Sequence, residues 1–196
     1  LMAGGVAVLL NGWWQGAELA EGIKQVDCRL ILADAPRAAR IAEAGGGVDG
    51  WPMLVLPIEQ KIADAIAPIC AGATGAGELP ALGGDDLATI LFTSGSTGQA
   101  KGAYSTHRAV VQGTFNYLVQ TATILHVLTV AGNAPDGQAS TLLNVPMFHV
   151  TGEVPVLLQS FAIACESYSP PRSERSALME PRSDPSTCCV CISRTK

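Results

Sequence analysis

The sequence predicts an α/β fold in which helices cover a mostly parallel sheet, and three observations support this. Short apolar segments of strand length alternate with segments whose apolar residues recur at helical spacing. The chain has 196 residues, which is enough for one domain with its own core. Hydrophobic residues make up 48% of the chain and aromatic residues only 5%, so we expect a core of Ala, Val, Leu and Ile.

The first part of the chain contains three predicted strands and three predicted helices. In the first helix, Leu19 and Ile23 lie four residues apart on one face. Asp34 is a plausible N-cap for the second helix, with Pro36 inside its first turn, and the three glycines at 45–47 end that helix. The strands are predicted over 6–10, 29–33 and 53–56, and the helices over 17–26, 37–44 and 59–66.

The second part of the chain begins with residues 68–84, which are rich in Gly, Ala and Pro and are typical of a surface connector. An apolar strand is predicted over 87–92, a helix over 107–121 with Thr106 as its N-cap, and a strand over 141–145. The loop that follows 87–92 therefore lies at the carboxyl end of a strand. Open α/β sheets place their ligand sites at such ends.

That loop is the most informative segment of the chain, because residues 93–102 read Thr-Ser-Gly-Ser-Thr-Gly-Gln-Ala-Lys-Gly. Its glycines can adopt positive φ, which lets backbone N–H groups approach an oxyanion closely. Hydroxyl groups and one lysine add further donors. A serine- and glycine-rich surface loop with a solvated lysine is the alternative. The residues predicted to bind the phosphates of a nucleotide are Thr93, which supports the loop from the strand end, Ser94, Gly95, Ser96, Thr97, Gly98 and Lys101.

The spacing of this loop differs from that of the nucleoside-triphosphatase P-loop, in which the lysine directly follows the last glycine. Here Lys101 lies three residues after Gly98, and residues 102–106 are expected to be extended. The loop instead resembles the signature loop of the adenylate-forming superfamily, which includes acyl-CoA synthetases, aryl-CoA ligases, luciferases and peptide-synthetase adenylation domains. That family usually has proline where this chain has Ala100, and alanine should stiffen the loop less.

A second motif resembles the same superfamily. Pro146, Phe148, His149 and Gly152 fill a Pro-x-Phe-His-x-x-Gly element, which family members carry a few dozen residues beyond the phosphate loop. The resemblance implies that His149 lines the acyl-adenylate pocket, whereas His149 taken alone would be a structural histidine at a strand end. Residues 4–13 also resemble acyl-CoA synthetases and favour fatty-acyl or similar substrates, so the resemblance covers residues 1 to about 160.

The resemblance implies part of the N-terminal domain of an ATP-dependent acyl- or aryl-CoA ligase. Such an enzyme activates a carboxylic acid with ATP and Mg²⁺ and transfers the acyl group to a thiol, usually coenzyme A. The family's Mg²⁺ ligand, ribose-binding aspartate and catalytic lysine belong to later elements, so we assign no catalytic residue here and expect the fragment to be inactive. Two alternatives stay open: a non-catalytic relic with at most weak nucleotide binding, and an unrelated nucleotide-binding module.

The last 33 residues depart from the α/β pattern. They are rich in Ser, Pro, Arg and Cys and show no periodicity, so we expect no regular structure there. The predicted organisation is a partial AMP-binding domain over 1–163 and a tail over 164–196. The tail is either disordered or the product of out-of-frame translation.

Composition excludes several other classes of function. The net charge of −5 gives no reason to expect nucleic acid as a partner, and no apolar run is long enough to span a membrane. No histidine lies after His149 to complete a metal-ligand set with the cysteines near the C-terminus, so we expect no zinc site. Cys28 and Cys70 are expected to be small buried residues in a reducing, cytoplasmic compartment.

Overall fold

The computed structural model describes residues 1, 3–44, 51–57, 59–71, 77–93, 100–137, 140–163, 166–168 and 188–194. The chain divides into two compact units. The first unit contains Leu1–Thr106 together with Cys188–Lys196, and the second contains His107–Thr187.

The first unit is built on a six-stranded sheet. β1 (Gly5–Asn11) pairs parallel with β4 (Leu87–Thr93), and β2 (Leu30–Ala33) pairs parallel with β3 (Met53–Val55). β8 (Cys188–Arg194) runs antiparallel to both β1 and β2, and β5 (Lys101–Thr106) runs antiparallel to β4. Four of the six strands therefore share one direction, although three of the five strand pairings are antiparallel. The predicted α/β fold is confirmed, in the form of a mixed sheet. The order of the strands across the sheet is β3-β2-β8-β1-β4-β5.

Three helices accompany this sheet: α1 (Gly16–Gln25), α2 (Ala35–Glu43) and α3 (Ile62–Cys70). Asp34 is the N-cap of α2, as predicted, and its side chain accepts a hydrogen bond from the Arg37 backbone N–H at 3.0 Å. The sequence analysis ended α3 too early because it treated Pro68 as part of a connector. Pro68 lies inside the helix near its end, where the missing N–H costs one backbone hydrogen bond.

The core of the first unit is aliphatic, as the composition predicts. Its members come from β1, α1, β2 and α2, together with Cys28 from the segment between α1 and β2, and they include both Leu19 and Ile23 from the predicted apolar face of α1. The fully buried large side chains are Val6, Val8, Leu10, Leu19, Ile23, Ile31 and Ile41.

The second unit contains α4 (His107–Val130), which is nine residues longer than predicted, and a parallel pair formed by β6 (Ser140–Leu142) and β7 (Glu166–Tyr168). A π-helical segment (Gly152–Leu158) leads into α5 (Gln159–Ala162). Pro155 lies within the π-helical segment, where a residue without an N–H cannot continue α-helical bonding. Gln159 donates hydrogen bonds from its side chain to the carbonyl oxygen of Tyr117 at 3.3 Å and to the Thr121 hydroxyl, and so attaches α5 to α4.

No helix in the described ranges combines the length and the apolar character that a membrane span requires.

Two segments of the predicted tail are strands, which corrects the expectation of no regular structure for these residues. β7 lies in the second unit, and β8 inserts between β1 and β2. Val190 and Ile192 give β8 the β-branched residues that favour strands. The segment 169–187 lies outside the described residues, so the boundary at 163 and the two explanations of the tail stay predictions.

The two isolated cysteines differ from expectation in one respect each. Cys28 is buried, as predicted, with 2% of its surface exposed, but it is disulfide-bonded and is not a free thiol. Cys70 is a free thiol but is exposed, because it lies at the end of α3.

We predict that Leu19→Ala destabilises the first unit by about 2–5 kcal/mol, because Leu19 is fully buried between α1 and the sheet and its truncation leaves a cavity. Glu21→Ala on the exposed side of the same helix is the matched control and should change stability by less than about 0.5 kcal/mol. Urea denaturation followed by circular dichroism measures both values. Equal midpoints for the two variants would contradict the assigned core.

Candidate functional site

The predicted phosphate loop joins the last parallel strand to its antiparallel neighbour. β4 ends at Thr93, β5 begins at Lys101, and these two residues are paired across the strands. The Thr93 hydroxyl donates to the carbonyl oxygen of Lys101 at 3.4 Å and so helps to join the two ends of the loop. Residues 102–106 are extended, as predicted. The other predicted phosphate ligands, Ser94, Gly95, Ser96, Thr97 and Gly98, lie outside the described residues.

The Lys101 side chain is exposed at the start of β5. The ion pairs of the described residues join Arg29 to Asp27 and Arg37 to Asp34, and neither includes Lys101. The ammonium group is therefore accessible to an anion from solvent. A phosphate contact and a solvated surface lysine both fit this exposure, so the role of Lys101 stays a prediction.

Close packing surrounds Phe92, the residue before the end of β4. The Trp14 ring lies edge-on to the Phe92 ring, with centroids 5.3 Å apart and planes at 75°. A Cβ atom on Gly22 of α1 would lie 3.0 Å from Trp14 Cζ3 and 3.6 Å from Phe92 Cζ. A Cβ atom on Gly102 would lie 3.0 Å from Ile90 Cγ2 and 3.7 Å from Phe92 Cζ. The two glycines therefore allow α1 and the beginning of β5 to approach the same aromatic ring.

Two arginines hold the turn that follows β1. Arg37 Nε and Arg40 Nη2 donate to the carbonyl oxygen of Gly12 at 3.1 and 3.0 Å, and Arg40 Nη1 donates to that of Trp14 at 2.8 Å. Asp34 is 7% exposed and forms an ion pair with Arg37. These arginines were not among the residues predicted from the sequence to be functional. Their spacing of three residues, which places both on one face of α2, was the available signal.

His149 forms the start of the helical segment in the second unit. Its carbonyl oxygen accepts hydrogen bonds from the backbone N–H groups of Gly152 at 2.9 Å and Glu153 at 3.1 Å. Its ring Nδ1 accepts one from the Thr151 backbone N–H at 3.3 Å and lies 3.2 Å from the Thr151 hydroxyl oxygen. Because a backbone N–H can only donate, Nδ1 carries no proton in this arrangement and the neutral ring is protonated at Nε2.

The histidine therefore caps a helix, whereas the structural alternative placed it at the end of a strand. The ring is exposed, and the described part of the chain provides no partner for Nε2. A ligand contact through Nε2 is compatible with the cap. The place of His149 in an acyl-adenylate pocket stays a prediction.

Gly152 of the same motif meets a steric requirement. A Cβ atom at this position would lie 2.3 Å from the carbonyl oxygen and 2.8 Å from the carbonyl carbon of Pro146. The same Pro146 oxygen accepts a hydrogen bond from the His149 backbone N–H at 3.1 Å. The Pro-x-Phe-His-x-x-Gly spacing thus builds a turn whose first carbonyl group packs directly against the glycine of the following helix.

Thr93 and Lys101 belong to the first unit, whereas His149 belongs to the second. Among the residues that the structure describes, no group of three or more His, Cys, Asp and Glu side chains could hold a metal ion.

Comparison with known proteins decides the family. Residues 1–183 match the AMP-binding enzyme family. The chain belongs to this family. Two motifs, in the phosphate loop and around His149, identified the same adenylate-forming superfamily, whose N-terminal domain this chain resembles in fold.

Individual AMP-binding relatives are considerably longer than this chain. An olefin β-lactone synthetase from Stenotrophomonas maltophilia (strain K279a) is 42% identical over 83 residues, which are 42% of this chain and 13% of that protein. The 4-coumarate–CoA ligase-like 3 of Oryza sativa subsp. japonica is 27% identical in an alignment 168 residues long, and the match covers 78% of this chain and 27% of that protein. This AMP-binding chain spans less than a third of the length of either relative.

The fold matches a solved structure of an ATP-bound protein. MatB from Rhodopseudomonas palustris, in its ATP-bound crystal structure, superposes with a TM-score of 0.62 at 22% identity. The match covers 89% of this chain and 32% of the MatB chain. At this identity the likeness shows the fold alone.

We predict that Gly152→Ala disrupts the start of the helical segment, because the new Cβ would overlap the Pro146 backbone, which cannot rotate away as a flexible side chain would. We expect a loss of about 2 kcal/mol or more in unfolding free energy, in the range of overpacking at a rigid site. Gly77→Ala is the control, since a Cβ there meets nothing within 4 Å. Denaturation followed by circular dichroism should separate the two variants. Unchanged stability of Gly152→Ala would argue against the described turn.

Proposed function

We propose that this AMP-binding chain supplies the triphosphate-binding part of an ATP-dependent acyl- or aryl-CoA ligase. The observation that carries the proposal is the β4–β5 hairpin. It presents a loop rich in serine, threonine and glycine, with an exposed lysine, at the carboxyl end of a parallel strand. Membership of the AMP-binding enzyme family and the similarity in fold to ATP-bound MatB support ATP as the ligand.

In the proposed reaction a carboxylate oxygen attacks the α-phosphorus of ATP. The bond from this phosphorus to the bridging oxygen of the β-phosphate breaks, and pyrophosphate leaves. Negative charge grows on the departing group, so N–H and hydroxyl donors of residues 93–98 and the ammonium group of Lys101 would lower the barrier. The sulfur of coenzyme A then attacks the acyl carbon, and AMP leaves as the thioester forms.

Other parts of the reaction are proposed to lie elsewhere. The described residues contain no group of three or more His, Cys, Asp and Glu side chains that could hold a metal ion, and the residues that would hold the Mg²⁺ used with ATP are proposed to lie outside the described residues. His149 would contribute its free Nε2 edge to the wall of the acyl-adenylate pocket. The relatives are more than three times as long as the segments they share with this chain, and we propose that the chain alone binds ATP without forming an acyl-adenylate.

We predict that Lys101→Ala lowers the affinity for ATP about tenfold, because a charge-assisted contact to phosphate contributes roughly 1.5–3 kcal/mol. Isothermal titration calorimetry with ATP measures the dissociation constant. Lys61→Ala is the matched control, since Lys61 is also exposed and its loss changes the net charge equally. An equal loss in both variants would indicate a general charge effect, and an unchanged affinity in Lys101→Ala would leave Lys101 a solvated surface residue.

We predict that the 196-residue chain shows no carboxylate-dependent exchange between ATP and radiolabelled pyrophosphate. The assay should include short-chain, fatty and aromatic acids, with a full-length CoA ligase as a positive control. ATP binding without exchange is the expected result. Exchange with any acid would refute the proposed inactivity of the isolated chain, and an absence of ATP binding would favour a non-catalytic relic.

A further inference from the structure

We propose that Gln25, the last residue of α1, positions Lys101 by holding the peptide group that precedes it. Gln25 Nε2 donates a hydrogen bond to the carbonyl oxygen of Ala100 at 3.2 Å. Ala100 directly precedes Lys101, the first residue of β5. The proposal rests on the proposed function, because it assigns Gln25 to the lysine that would contact the phosphates of ATP.

The packing of α1 explains why Gln25 reaches the loop. Gly22 lies three residues earlier and therefore on the same face of the helix. Hypothetical Cβ atoms on Gly22 and on Gly102 would lie 3.6 and 3.7 Å from the same atom, Phe92 Cζ. The Phe92 ring therefore lies between α1 and the beginning of β5, within contact distance of both. One helical turn beyond Gly22, the amide of Gln25 spans the remaining distance to Ala100.

Two hydrogen bonds then flank the lysine. The Ala100 carbonyl belongs to the peptide group before Lys101 and is held by Gln25, whereas the Lys101 carbonyl belongs to the peptide group after it and accepts the Thr93 hydroxyl. Fixing both peptide groups fixes the backbone dihedral angles of Lys101 and with them the direction of its Cα–Cβ bond. Gln25 would therefore act on the nucleotide only through Lys101, as a positioning residue.

The test compares Gln25→Ala and Gln25→Glu in the complete 196-residue chain. Glutamate keeps the length of the side chain but, when ionised, has no N–H to donate. Gln112→Ala is the matched control, because Gln112 is an exposed helical glutamine that bonds Asn116 on its own helix. Three quantities are measured: amide hydrogen exchange of residues 100–102 without nucleotide, the dissociation constant for ATP, and the unfolding midpoint.

We expect both Gln25 variants to exchange about fivefold faster at residues 100–102 and to bind ATP about fivefold more weakly, the scale of one net hydrogen bond. The unfolding midpoint of the Gln25 variants should fall by no more than the loss of one hydrogen bond predicts. Gln112→Ala should change neither the exchange at residues 100–102 nor the dissociation constant for ATP.

Unchanged exchange in both Gln25 variants would overturn the proposal. So would faster exchange with an unchanged dissociation constant for ATP, because Gln25 would then order the backbone without affecting the ligand. Faster exchange throughout the chain together with a larger fall in the midpoint would show a general structural role and overturn it as well. If the unmodified chain binds no ATP, the proposed function fails, and with it the predicted effect on affinity. The exchange data would still decide separately whether Gln25 holds residue 100.

Discussion

The packing around Phe92 positions the two ends of the predicted phosphate loop. This ring contacts Trp14 at its edge and lies between α1 and the beginning of β5, which approach it because Gly22 and Gly102 have no side chains. Strand pairing alone would leave the β4–β5 hairpin free to twist at the edge of the sheet. Because the Phe92 ring is packed from two sides, the end of β4 is fixed relative to α1. The loop thus begins and ends at residues whose neighbours are already held by the core.

The turn after β1 belongs to the same arrangement. Trp14 can serve as a packing partner only if its backbone is fixed, and Arg37 and Arg40 hold the carbonyl groups of this turn from α2. The carboxylate of Asp34 neutralises part of their charge and also caps α2. A buried ion pair of this kind contributes little net stability on its own, because desolvation offsets the attraction. Its effect is to define one geometry for the turn, and through Trp14 this geometry extends to the strand that carries the loop.

Much of this fold could be predicted from local sequence, and the exceptions have physical reasons. The strand before the loop was predicted over 87–92 and is observed at Leu87–Thr93, because a continuous apolar run between turn residues is a short-range signal. β8 could not be predicted in this way, since its place between β1 and β2 depends on pairing with residues almost the whole chain away. Gln25 was missed for the same reason, because its partner lies 75 residues later. The cap made by His149 involves only neighbouring residues and could have been recognised from the helix that follows.

The histidine motif and the loop that ends at Lys101 meet different physical requirements. The geometry accounts for His149 and Gly152 without any ligand: one caps a helix through Nδ1, and the other leaves room for the Pro146 carbonyl group. A chain that no longer catalyses a reaction would still need both residues to build this turn. Lys101 is different, because its ammonium group forms no ion pair within the described residues while its backbone is held on both sides. The backbone of Lys101 is held in place, while its charge has no ion-pair partner among the described residues. This combination favours an anion from solution as the partner of the ammonium group. Lys101 therefore supports nucleotide binding more strongly than the histidine motif does, although more residues of the histidine motif are described in the structure.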